Sequence, residues 1–228
     1  MGVTIDSPCR SREAVRFIYA GIDFIRSLDD AGKLSVAIDC IMGDAFPVDV
    51  LFADDSRYSL KVTALDLDRI TKVALLWRAP VNLDLHAFEY AARLDQPGHV
   101  WAGAPSSAGA ALEQTTQTAR GHGFMSSLST GQKDGGTQME VYTFWRHANQ
   151  KSGVVSLALD YETRSRSPPD TDTCGNGLYS EISYETIVLD RNKVKRQLAS
   201  LAPIDCGVQL TGPARYNTRT IPEITTRP

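Results

Sequence analysis

The chain lacks any run of apolar residues near the ~20 needed to cross a bilayer as a helix, so its 228 residues hold no helical membrane span. It also lacks CxxC, HExxH and GxSxG. Those absences remove the zinc-knuckle, thioredoxin-like, zincin and α/β-hydrolase signatures. Gly131-Gln132-Lys133-Asp134-Gly135-Gly136 is rich in glycine but carries no Walker or dinucleotide fingerprint. A dominant charge of one sign is missing too: 24 Lys and Arg face 27 Asp and Glu, a formal net charge of -3. The whole-chain balance therefore provides no generic attraction to nucleic acid or anionic membranes. Arg191, Lys193, Lys195 and Arg196 form the densest basic cluster, for which a solvated turn or helix face is a simpler account than a nucleic-acid site.

What is present is ordinary for a chain that buries a core: 42% hydrophobic and 22% charged residues. Cysteine is scarce but even in number, at Cys9, Cys40, Cys174 and Cys206. The wide spacing points to structural bridges rather than metal ligation, and the simplest of three possible pairings is Cys9–Cys40 with Cys174–Cys206. Each would close a loop of about 30 residues and add roughly 2–4 kcal/mol; the competing reading is four reduced, buried thiols. The polar start from Asp6 to Glu13 has no apolar leader pattern. With the cysteines, this sets the expectation of a periplasmic or secreted protein in its mature form, the cytoplasm being the alternative.

Periodicity gives a mainly β protein. Residues 13–28 place Ala14, Phe17, Ile18, Ile22, Phe24 and Ile25 at mostly helical spacings, interrupted by Gly21, which predicts an N-terminal helix. Alternation or β-rich runs then predict strands over 34–40, 47–52, 58–65, 72–77, 83–88, 139–145, 153–161 and 179–189, with turns at Asp54-Asp55-Ser56 and Asp66-Leu67-Asp68. Residues 95–138 are dense in Gly, Ser and Thr and predict long loops with short strands near 99–102 and 122–126. Residues 191–201 approach a second amphipathic helix. The expected fold is an antiparallel β-sandwich, jelly-roll-like or Ig-like, with a helical extension over 1–32, the sandwich over 33–202 and an irregular tail over 203–228.

One segment concentrates polar groups: Trp77-Arg78-Ala79-Pro80-Val81-Asn82-Leu83-Asp84-Leu85-His86-Ala87-Phe88-Glu89. Its Trp followed by Asn-Leu-Asp-Leu-His resembles the strand–turn–strand segment of bacterial extracytoplasmic β-sandwich domains that carry a Trp and an Asp-x-Asp-Leu-His-like run. In this chain Asn82 stands where the first Asp is expected. The resemblance implies a fold and no particular activity.

Strand alternation places Asn82, Asp84 and His86 on one face and Leu83 and Leu85 on the other. Asn82 and Asp84, completed by Glu89 or another loop, are candidate oxygen ligands for calcium, against the alternative of a solvated face. Trp101, framed by His99 and two glycines, and Tyr179, after Gly175-Asn176-Gly177, are candidate flat surfaces for a protein or a sugar. His86, His99, His122 and His147 with Asp84 or Glu89, or Glu162 and Glu181 with Asp160 or Glu185, are the residues a hydrolase would use. These features lead to a noncatalytic extracytoplasmic binding module for an envelope or extracellular protein, or a carbohydrate. An extracytoplasmic hydrolase and a structural subunit of an envelope assembly are the alternatives.

Overall fold

The computed structural model describes residues 2–64, 67–78, 83–118, 120–129, 136–146, 153–161, 182–201 and 219–226, of which 129, 161 and 219–226 are described by their backbone. The strands begin with β1 (Gly2–Asp6), β2 (Ala14–Tyr19), β3 (Ile22–Ser27), β4 (Lys33–Ala37), β5 (Ala45–Leu51) and β6 (Arg57–Thr63). They continue with β7 (Ile70–Arg78), β8 (Leu83–Glu89), β9 (His99–Val100), β10 (His122–Ser129) and β11 (Thr137–Trp145). After these come β12 (Gly153–Tyr161), β13 (Ile182–Asp190), β14 (Lys193–Leu201) and β15 (Arg219–Thr226). One α-helix, α1 (Ala108–Thr118), and two 3-10 turns at Pro8–Arg10 and Leu67–Arg69 complete the described elements.

The strands form four antiparallel sheets. A five-stranded sheet runs β10-β11-β7-β13-β14, two four-stranded sheets run β15-β12-β8-β9 and β3-β2-β5-β6, and β1 pairs with β4. The five-stranded sheet lies in the middle and is covered on both faces. Ala74, Leu76, Met139, Val141, Ile187 and Leu189 pack with Val15, Phe17, Tyr19, Phe24, Phe46 and Val48. The alternate residues Val73, Leu75, Trp77, Tyr142, Phe144 and Tyr184 pack with Leu83, Leu85, Ala87, Val155, Leu157 and Leu159. This stacking explains why β7 is buried from Ile70 to Trp77 and apolar without a break from Val73 to Trp77. Both of its faces are removed from water, and each buried Leu or Val contributes about 1.5–3 kcal/mol. Of its three polar residues, Thr71, Lys72 and Arg78, Lys72 is buried with its ammonium 2.5 Å from Asp39, whose other oxygen accepts from Ser126 Oγ at 2.5 Å.

The mainly β, antiparallel character is as the periodicity indicates, but the two-sheet sandwich is corrected to a stack in which the middle sheet serves two cores. The N-terminal helix is also corrected. Residues 14–27 are a hairpin, with Tyr19 paired to Ile22 across Ala20 and Gly21. Both turn residues have positive φ, 54° and 85°, as a two-residue hairpin turn of matching twist requires. Val15, Phe17 and Tyr19 point inward on one strand, then Ile22 and Phe24 on the next. The turn shifts the alternation by one, and the sum of the two patterns imitates a helical stripe. Val3, Val15, Phe17, Tyr19, Ile22, Phe24 and Leu28 thus belong to the buried core. The stretch expected to end in a helix at 191–201 is strand β14, reached through a second two-residue turn at Arg191 and Asn192, with φ of 46° and 64°. Within the tail expected to be irregular, β15 pairs with β12.

The helix lies where only loops are expected. Ser107 starts it, its Oγ accepting from Ala110 N at 3.1 Å and its carbonyl from Ala111 N at 2.9 Å, the arrangement of an N-cap. Ala111 and Thr115, one turn apart, are its buried residues.

The Cys9–Cys40 bridge is also corrected. Cys9 is exposed in a short turn, Cys40 is buried, and both are free thiols. Burial pushes the Cys40 thiol's pKa up, which keeps it protonated and inert. Cys174 and Cys206 lie outside the described residues.

Candidate functional site

Strand β8 divides its side chains between two environments. The odd positions, Leu83, Leu85 and Ala87, enter the core against the middle sheet. The even positions face away from it, and there the structure gathers His86 and Phe88 with His99 of β9, Asp160 of β12 and Trp101.

His86 and His99 are each only 5% exposed. Their rings are parallel within 8° with centroids 5.0 Å apart, yet His86 Nδ1 and His99 Nε2 approach to 2.8 Å. Face-stacked rings at that separation cannot bring two nitrogens so close, so the imidazoles lie edge to edge in one plane. Phe88, paired across the ladder with His99, stacks on it at 4.6 Å, and Trp101 stacks on His86 at 5.1 Å.

The hydrogen bonds fix both tautomers. The Asp95 N–H donates to His99 Nδ1 at 3.0 Å, so that nitrogen carries no proton when the ring is neutral. His99 Nε2–H then donates to His86 Nδ1, which leaves the His86 proton on Nε2, 3.6 Å from Asp160 Oδ2. Burial is the main force lowering both histidine pKa values, and it outweighs the opposing pull of Asp160 and Asp95. Both rings are neutral at pH 7. Asp160 Oδ1 is buried with no hydrogen-bond partner among the described residues.

Trp101 is held by its own turn. Its backbone bridges to Ala104, and its indole lies so close over Gly103 that a Cβ there would come within 2.4 Å of the ring. This turn ends β9 after Val100. The Leu85 N–H, for which a longer β9 would supply a carbonyl, is met instead by Glu140 Oε2 of β11 at 2.7 Å. Burial pushes the Glu140 carboxyl up to about 7, partly offset by the Leu85 N–H and reinforced by neighbouring Asp84.

Glu89, an odd position, points into the molecule. Its Oε1 accepts from Tyr142 OH and Gly123 N, both at 2.7 Å, and its Oε2 lies 2.7 Å from His122 Nδ1. Three donors satisfy this buried carboxylate, and burial beside it pushes the Tyr142 phenol well up. These contacts tie β8 to β10 and β11. Losing such an acceptor would orphan buried donors at about 1–3 kcal/mol each.

This chain matches no known protein family, no curated protein and no solved structure.

Of the residues nominated from sequence, His86, His99 and Trp101 come together, with Asp84 on the same strand face as His86. Glu89 sits on the opposite face, and Asn82 and Tyr179 lie outside the described residues. No group of three or more His, Cys, Asp or Glu suited to a metal occurs among the described residues. Asp84 and Glu89 do not share a face on which to hold calcium. Of the proposed hydrolytic carboxylates, Glu162 and Glu181 lie outside the described residues, as does His147. Asp160 and Glu185 stand on strands of different sheets, Glu185 being bound to Arg196 at 2.5 Å. Sequence reasoning did not single out Asp95, Phe88 or Glu140. Only the i,i+4 spacing of Asp95 and His99 offered a signal.

Proposed function

We propose that this chain is a noncatalytic binding and interaction module that engages a protein partner through an exposed sheet edge. The observation carrying this reading is the contrast between its interior polar groups and its edge strands. The polar groups of the candidate site are largely engaged with one another: Glu89 holds three donors, and the two imidazoles share one directed hydrogen bond. The edge strands, by contrast, display apolar side chains. On β6, Tyr58 is 56% and Leu60 40% exposed, beside a shallow recess of about 260 Å³ lined by Ala45, Phe46, Pro47, Ser59, Leu60 and Lys61. On β14, Leu198 is 79% exposed. An edge strand with open backbone groups and apolar side chains is a template for added chain.

An extracytoplasmic location rested on paired cysteines, and the free thiols of Cys9 and Cys40 remove half of that support.

The test places a photo-crosslinking phenylalanine analogue at Leu60, at Leu198 and, as a control on the helix surface, at Leu112, in the full chain within the cells that make it. A discrete adduct with one protein from position 60 or 198, competed by excess unlabelled chain, is the expected result. Equal, diffuse labelling from all three positions would overturn the reading.

A further inference from the structure

The β14 edge narrows the chemistry of the partner, an inference that rests on the interaction-module reading. We propose that β14 docks an extended, acidic segment of another protein, which adds to the middle sheet beyond its present edge.

The argument begins with the backbone. Asp190 and Lys193 flank a two-residue turn and are directly paired, and such a pair exchanges both backbone hydrogen bonds. Lys193, Lys195 and Gln197 therefore bond inward to β13. The N–H and C=O groups of Val194, Arg196 and Leu198 point outward, where β14 forms the sheet edge among the described residues. Every residue from Lys193 to Leu198 is exposed.

The side chains add selectivity. Lys193 and Lys195 share one face of the strand, and neither has an ion-pair partner among the described residues. Val194, Arg196 and Leu198 share the other face, with Arg196 bonded to Glu185 at 2.5 and 2.8 Å. A strand added here sets its alternate residues opposite these two rows. Acidic residues fit against Lys193 and Lys195, and aliphatic residues against Val194 and Leu198. Read antiparallel, the matching segment is apolar, polar, polar, acidic, apolar, acidic.

A second copy of this chain is the poorer occupant. Antiparallel pairing about Arg196 would set the two Arg196 side chains opposite each other and gather four lysines over one face, and like charges so placed repel. Lysines on an edge strand ordinarily serve to discourage self-pairing. On β14 they also leave a row without ion-pair partners among the described residues, which an acidic strand can match.

The experiment titrates the full chain with acetyl-Ile-Thr-Thr-Glu-Val-Glu-amide and with its counterpart in which both Glu are Lys, reading backbone amide shifts and hydrogen exchange. The acidic peptide is expected to slow exchange at Val194, Arg196 and Leu198 and leave Lys193, Lys195 and Gln197 unchanged, because those amides are already bonded to β13. Affinity should fall as salt rises from about 0.01 to about 0.15 M, which shortens the screening length from about 30 to about 8 Å. The double variant K193E/K195E should bind the acidic peptide about tenfold or more weakly, and should now prefer the Lys peptide. Equal binding of the two peptides, no alternation in protection, or protection that grows with protein concentration without peptide would overturn the proposal. The last of these identifies a second copy as the occupant. Should the peptides fail while crosslinking from Leu60 succeeds, the acidic-strand inference falls and the interaction-module reading stands.

Discussion

Replacing Glu140 by Gln should stabilise the protein, and the gain should depend on pH. Glu140 is 6% exposed, and among the described residues its carboxyl accepts the Leu85 N–H. A neutral amide oxygen performs that task without the cost of burying a charge. The carboxyl's ordinary pKa of 4.5 rises to about 7 in the fold, chiefly through desolvation. Below 4.5 the group is protonated in both folded and unfolded chains and contributes no difference. Between 4.5 and 7 the folded state holds a proton that the unfolded state has released, so stability falls as pH rises. Above 7 the loss is complete and, at about 1.4 kcal/mol per pH unit, amounts to roughly 3 kcal/mol. Urea unfolding of wild type and E140Q, followed by tryptophan fluorescence from pH 4 to 8, measures it. The two stabilities should converge near pH 4 and diverge by roughly 2–3 kcal/mol in favour of E140Q near pH 8. Other titrating groups are common to both chains and cancel in the difference. A difference that stays flat across this range would refute the reasoning.

The histidine pair acts on the acid side. Its depressed pKa values mean that the unfolded chain takes up protons first as pH falls below 6.5, so wild-type stability should drop there. In H86F/H99F that acid limb should flatten whatever the absolute stability, a comparison made by the same urea curves. Gly103→Ala should push the Trp101 indole off its seat and cost about 1–3 kcal/mol, seen as a red-shifted tryptophan emission in the folded state. Of the two described cysteines, Cys9 should be alkylated by iodoacetamide in the native protein, and Cys40 only once the chain is unfolded, as peptide mass mapping would show.

The strands were legible because alternation survives wherever one face of a strand differs from the other, and residues 153–161 are assigned to the residue. Legibility failed where a second factor entered. In residues 14–27 a tight turn reset the alternation, and Gly21, which interrupts the supposed helix, was the trace of the true turn. Lys193 to Leu198 misled because exposure on both sides removes any strand alternation. The two-sided burial of β7 is written as an unbroken apolar run, but such a run does not say how many layers bury it. In the site, parity settled more than residue type. Asp84 and His86 share a face, as counting in twos predicts. Glu89 is odd, so it had to turn inward with Leu83 and Leu85, and its carboxyl is spent on Tyr142 and His122. The meeting of His86, His99 and Asp160 depends on how β9 and β12 flank β8, a pairing no local pattern encodes.

The middle sheet has no spare side. Its central strands β11, β7 and β13 lend alternate residues to the layer above and the layer below, so neither outer layer can be removed without baring a wall of hydrocarbon. A fragment cut at residue 33 would lose β2 and β3 and uncover Ala74, Leu76, Met139 and Val141, and it should precipitate rather than persist as a smaller domain. Because the two cores share one sheet, the protein should melt as one body, and the rims of its sheets are the places where another chain can join without taking it apart.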